Sequence, residues 1–442
     1  MFRPDGTLHS VHHTLAEAAP GPNLTKEEAE ARAENFLRDS GKIDLNQWKL
    51  VDAESKKQPS RTDHSFVWEE TRPLNPSPPG AEAAHVRMSL VVQGDEVSGY
   101  RIFIHLPENW VRKQNETTLA NTAQLVLFLS LIGAFGLAVL IIFFRNLKSP
   151  QIAAVPWRRI AGWSLVVLAA ALLRFVSLEP LYLLTYRTDQ PFATFIGSLL
   201  IGQALTAVLF YGAATLLLGL GSFFLICGYG SDYLPFSHNL PGTYYRDAIL
   251  VMFSGWAVLV GLQRLRDFVA VIWPVPHYAF PASAVEGLDA NWPALNGLSN
   301  GITYSLLATG MIALVLGFAA RYLKQTWIQV ALLAALAIFS VQRWGSAGDF
   351  LQSSVFSFVE LAFIWWGARS LVRLNFLAYF LLVALLALSP AIDGLIRQPN
   401  AYYRINGAIL IAAVAILVVL PLVWWRAAAR RDRLADRFVV PA

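Results

Sequence analysis

Two side chains stand where a charge is costly. Glu360 falls near the middle of the apolar stretch from Phe350 to Leu371, and Arg174 falls within Ile160 to Leu183, whose second half also carries Glu179. An unpaired ionisable group deep in hydrocarbon costs on the order of 3 kcal/mol or more, so each is a candidate functional residue. Arg174 and Glu360 could form a buried ion pair that holds two helices in register, or could act as stations for a proton or an ion. A relay ordinarily aligns several carboxylates or histidines, and these stretches offer one central carboxylate and no histidine. The ion pair is therefore the first expectation.

Other reactive residues are sparse. His9, His12 and His13 are possible metal ligands, but a strand would place His12 and His13 on opposite faces with no carboxylate to complete a set. They read as surface histidines. The single cysteine, Cys227, lies in an apolar run, which excludes an intrachain disulfide and a cysteine metal cluster. The apolar region contains no Gly-x-Ser-x-Gly, His-Glu-x-x-His or phosphate-cradling Gly-x-x-x-x-Gly-Lys motif. No catalytic residue, metal or cofactor is expected.

The elements that must position these residues are membrane helices. Of 442 residues, 55% are hydrophobic and 15% charged, with a mean hydropathy of +0.46, too apolar for a soluble chain. The run from Leu125 to Phe144 carries no charge, and twenty residues at about 1.5 Å each match a bilayer core of roughly 30 Å. Further spans read as Ile160 to Leu183, Pro191 to Cys227, Asp247 to Val271, Ala294 to Ala320, Trp327 to Val341, Phe350 to Leu371, Leu374 to Ala391 and Ile405 to Trp425. That gives a polytopic α-helical membrane protein with about nine transmembrane helices. The long run from Pro191 counts once. Counted so, basic residues fall fourteen inside against six outside, whereas splitting the run would invert every later loop against the positive-inside rule. Residues 1–118 are then extracytoplasmic, and the Arg-rich tail from Arg426 to the C-terminus is cytoplasmic. The net charge of +5 is accounted for by these flanking residues, so no nucleic-acid partner is expected. Gly197, Gly202, Gly212, Gly219 and Gly221 would allow close helix packing.

The segment before the first span should be a small α+β domain. Thr25 to Glu28 forms a capping box, and Ala29, Ala33, Phe36 and Leu37 recur at helical spacing up to Gly41, which is placed to end the helix as a left-handed residue. Strand signals follow at Gln47 to Asp52 and Ser65 to Glu69, then a proline-rich loop from Pro73 to Pro79. Val86 to Val92 and Tyr100 to Ile104 alternate about a turn at Gly94-Asp95 and make a hairpin. Arg3-Pro4-Asp5-Gly6 is a turn that normally joins two strands, and no signal peptide precedes it. The expectation is a natural start upstream of Met1, with another span.

A capped helix followed by antiparallel strands, over residues 22–107, resembles the PepSY type of extracytoplasmic domain. The order of an outer domain, a basic loop and further spans resembles the CAAX-protease and bacteriocin-processing intramembrane peptidases. Val359-Glu360-Leu361 through Arg373-Leu374-Asn375-Phe376-Leu377-Ala378 is similar to that family's late glutamate-bearing helix and the Arg-x-Gly-Leu-Leu-Ala start of the next. The resemblance implies Glu-Glu-x-x-x-Arg, Phe-x-x-x-His and His-x-x-x-Asn motifs that hold a metal or water in a dry pocket. Here Gly301 to Ala320 has no carboxylate, Arg343 stands where His is expected, Val383 and Ala387 replace His and Asn, and no histidine follows His277. The expected function is that of a non-catalytic relative in a bacterial inner membrane, bound to lipid and binding a peptide, lipid or membrane-protein partner. Contacts are expected on the outer domain and on the loop with Trp273, Tyr278, Phe280 and Trp292. One alternative is a divergent intramembrane metallopeptidase that uses Glu360, Asp349 and His277. The other is a transporter or transporter subunit that uses Arg174 and Glu360.

Overall fold

The computed structural model describes residues 8–74, 83–115, 118–186, 190–230, 240–273, 287–341, 344 and 346–438, with the side chains of 113–115 and 432–438 left out of the description. The chain divides into two compact units, Met1–Thr117 with Leu184–Leu199, and Thr118–Leu183 with Leu200–Ala442.

The first unit contains β1 (Ser10–His12), α1 (Lys26–Asp39), β2 (Trp48–Lys57), β3 (Thr62–Glu70), β4 (His85–Gln93), β5 (Glu96–His105) and α2 (Glu108–Asn115). The five strands are all antiparallel in the order β1-β5-β4-β3-β2. The capping box forms as its residue types require: Thr25 Oγ1 accepts from Glu28 N–H at 3.3 Å, and Thr25 N–H donates to the Glu28 carboxylate at 2.8 Å. Ala29, Ala33 and Leu37 on one face of α1 pack on Phe66, Trp68, Met88, Leu90, Val92 and Tyr100 of the sheet, which recur at the period of two that puts them on one face. Gly94 turns the hairpin at a φ of 62°.

The structure corrects the end of α1: the left-handed residue is Lys42, with a φ of 52°, one place after Gly41. Gly41 serves by size, since a Cβ there would stand 2.8 Å from the Leu37 carbonyl oxygen. β2 also runs five residues past its expected end, as an edge strand whose last polar residues are exposed. The turn at Arg3 to Gly6 and most of the proline-rich loop lie outside the described residues.

The helices that follow are α3 (Leu119–Arg145), α4 (Pro150–Ala153), α5 (Trp157–Ser177), α6 (Glu179–Leu183), α7 (Phe192–Tyr229), α8 (Gly242–Ile272), α9 (Pro293–Tyr322), α10 (Thr326–Ser340), α11 (Ala347–Gly367), α12 (Phe376–Ile396) and α13 (Ala401–Phe438). Among the described residues eight are long and apolar enough to cross a membrane, which makes this a multi-pass membrane protein by length and composition. The long run from Pro191 is one helix, α7. The other expected span, α10, has 15 residues, about 22 Å at 1.5 Å each, short of a core of roughly 30 Å. Its ends are nonetheless tied on both sides. Gln329 near its start bonds Trp365 and Arg369, and its Ile338 carbonyl accepts from Gln124 of α3.

α9 is central and packs on α5, α12 and α13. Its close approach to α7 uses small residues: a Cβ on Gly221 would stand 2.7 Å from the Gly310 carbonyl oxygen, and one on Gly317 only 2.4 Å from the Phe224 carbonyl carbon. Gly197, Gly202 and Gly212, expected to pack likewise, have open space around them, and Gly219 faces the Trp157 ring.

Candidate functional site

Polar residues at the helix ends tie the second unit together. At one end, Pro180 cannot continue a helix because it lacks an N–H, so α5 stops at Ser177 and α6 begins at Glu179. Glu179 is thus outside the span, contrary to the sequence reading; it is exposed and accepts from Asn291 Nδ2 at 3.1 Å. Ser177 Oγ donates to the Trp292 carbonyl at 2.7 Å, Asn291 N–H donates to the Ser177 carbonyl at 2.8 Å, and the Tyr402 hydroxyl donates to the Asn291 carbonyl. Trp292 therefore serves through its backbone, while its ring is exposed. Trp273 is also exposed, and its carbonyl accepts from Gln352 at 3.4 Å. Tyr278, Phe280 and His277 lie outside the described residues.

The opposite end is built around Asn375. Its carboxamide oxygen caps α12 by accepting from Ala378 N–H at 3.1 Å, and its Nδ2 donates to the Tyr244 carbonyl at 2.8 Å. The preceding Arg373 sits at a φ of 50°, a strained value for a residue with a side chain. The buried Tyr379 hydroxyl holds it there through contacts of 2.9 Å to the Arg373 carbonyl and 3.1 Å to that of Ala368. The Arg373 to Ala378 stretch, singled out in the sequence, is therefore a helix cap that leads into a cavity.

That cavity has a volume of about 790 Å³. Its lining includes Leu218, Leu306, Leu381, Leu417 and Leu420, with Tyr244, Tyr245, Trp163 and Trp424. Arg159 and Arg431 stand among its lining residues at the first turn of α5 and near the end of α13. From Arg431 to Leu417 the cavity follows α13 for fourteen residues, about 21 Å at 1.5 Å each. Pro421 lies in this segment and leaves the Leu417 carbonyl without its helical donor, which loosens the helix where it lines the cavity.

Arg174 lines the second cavity, of about 140 Å³, with Gln203, Thr206, Asn300 and Thr303. Its Nε is buried and has no hydrogen-bond acceptor. Glu360 is exposed on α11, lines neither cavity and makes no ion pair with Arg174. The expected pair is thus not formed, because α5 packs on α9 whereas α11 packs on α10. Glu360 also lies eleven residues from Asp349, about 16 Å along one helix, so these two carboxylates do not converge either. Among the described residues no three His, Cys, Asp or Glu side chains are grouped to hold a metal. His13 is paired, with the Glu96 carboxylate, an acidic neighbour that the sequence reading did not foresee.

Sequence reasoning missed the Arg174 cavity's polar lining, although Asn300 and Thr303 stand three apart on α9, a spacing that puts them on one helix face. It also missed Arg61 and Asp63, a buried pair in the first unit bonded at 2.7 Å. Arg61 further donates to the Ala16 and Ala19 carbonyls at 2.7 and 2.9 Å, pinning the segment before α1. Compared with protein-family models, with curated proteins and with solved structures, the chain matches none of them.

Proposed function

We propose that this protein is a binding protein of the bacterial inner membrane that holds an anionic amphiphile, such as a lipid with a phosphate headgroup, in the 790 Å³ cavity. The single observation that carries the reading is the composition of that cavity: apolar along its length, with two arginines and a group of tyrosine and tryptophan residues among its lining. Its volume falls within the roughly 300–1,000 Å³ usual for small-molecule sites. An apolar chain would lie along α13, and the phosphate would meet Arg159 and Arg431, whose guanidinium groups suit phosphate oxygens.

The topology follows the charges. With α10 counted as a short ninth crossing, which local thinning of the bilayer can accommodate, the basic ends of α3, α5, α8, α9, α11 and α13 share the cytoplasmic side. The cavity then opens toward the inner leaflet, where anionic lipids meet basic residues. The resemblance to CAAX-type peptidases supports a bundle that once held an apolar substrate, and the missing histidines and paired glutamates support binding without cleavage. The transporter reading draws no support from the geometry, since Arg174 and Glu360 do not line a shared cavity.

Lipid retention tests the proposal. Protein purified in detergent should keep an anionic lipid through repeated washing, and Leu417→Trp, which puts a large ring into the cavity, should lose it while keeping its melting temperature. Equal retention in both proteins would refute the cavity as the binding site.

A further inference from the structure

The smaller cavity has a chemistry of its own and shares no lining residue with the larger one. The buried Nε–H of Arg174 has no acceptor. A helical side chain leans toward the N-terminus of its helix. From the last turn of α5, Arg174 therefore reaches back toward the middle of the bundle, where Asn300 and Thr303 of α9 and Gln203 of α7 line the same space. These groups bring hydrogen-bond donors but no negative charge. A cation placed so deep is stabilised by an anion, and no carboxylate of the described chain lines the cavity to supply one.

We propose that this cavity binds a short-chain carboxylate. The guanidinium fork matches a planar carboxylate, and the Gln203 and Asn300 amides can donate to its remaining lone pairs. Ala171, Phe175, Ala207 and Phe210 line the same cavity and provide an apolar wall for a short alkyl tail. The volume of about 140 Å³ limits the ligand to a handful of heavy atoms, since an engineered cavity of about 150 Å³ accommodates benzene. Butyrate, with six heavy atoms, is of that size. Chloride would leave the apolar wall bare, and a long-chain fatty acid would not fit.

The test is a thermal-melting titration of the full chain in detergent with sodium butyrate, against sodium chloride and neutral butyramide at matched ionic strength. A saturable rise in melting temperature is expected with butyrate, larger than with chloride and absent with butyramide. Arg174→Gln should raise the half-saturating butyrate concentration at least tenfold. Asn300→Leu, which keeps the charge and serves if Arg174→Gln does not fold, should raise it several-fold. No saturable rise in the unaltered protein, an equal rise with chloride or butyramide, or a response that Arg174→Gln and Asn300→Leu both retain would overturn the proposal.

Discussion

Replacing Gly317 by Ala tests the packing that sets the bundle. The added Cβ would stand 2.4 Å from the Phe224 carbonyl carbon, 2.5 Å from Leu225 N and 2.6 Å from the Phe224 oxygen. Ordinary contact begins near 3.4 Å, so α7 and α9 must part by about 1 Å. All three obstacles are backbone atoms, and no side-chain rotamer can yield. Overpacking of this kind costs about 1–3 kcal/mol, and a rigid obstacle puts this site near the upper end. Alanine also favours a helix over glycine by roughly 0.5–1 kcal/mol, which partly offsets the clash. Gly212→Ala on α7 serves as the control, because nothing lies within 4 Å of that Cβ and only the helical gain remains. The two variants should therefore differ by about 3 kcal/mol, or about 3 °C in melting temperature at about 1 °C per kcal/mol for a chain of 442 residues. Thermal melting in one detergent measures this. Equal melting temperatures would refute the close α7–α9 approach.

Three further outcomes follow from particular contacts. Asp63→Ala leaves Arg61 buried without its carboxylate and should cost about 3–5 kcal/mol, read as faster proteolysis of the segment before α1, whereas Glu34→Ala on the surface should change little. Thr25→Ala removes the acceptor for Glu28 N–H and should destabilise the first unit by about 0.5–2 kcal/mol in a denaturant titration. Tyr379→Phe removes the hydroxyl from the Arg373 and Ala368 carbonyls, the second of which keeps its bond from Arg373 N–H, and should cost about 0.5–1.5 kcal/mol, while Arg373→Gly relieves a positive φ and should gain roughly 1 kcal/mol; opposite signs in thermal melting are the check.

Local signals in the sequence carried far. The capping box at Thr25 and Glu28, the hairpin at Gly94 and the continuity of α7 all depend on residues near one another in the chain, and each is found. Arg61 and Asp63 were missed, although they stand two apart at the start of β3, a spacing that puts side chains on one face. What depends on helix pairing was not legible. Arg174 and Glu360 look like partners when only their burial in apolar runs is known, but pairing requires α5 to meet α11, and spacing along the chain does not specify that. The same limit applied to the glycines, where Gly221 and Gly212 lie on one helix and only the first faces a neighbour. Glu179 falls outside α5 for a local reason that the sequence carries, since Pro180 marks the end of that helix.

The central claim is that the large cavity holds an anionic amphiphile, and native mass spectrometry of the delipidated protein with added lipid tests it most directly. One anionic phospholipid per chain should remain bound at collision energies that strip a zwitterionic lipid of equal chain length. The double variant Arg159→Gln, Arg431→Gln should bind the two lipids alike. If both lipids bind the unaltered protein equally, or if the anionic lipid binds the double variant as tightly, the account is contradicted.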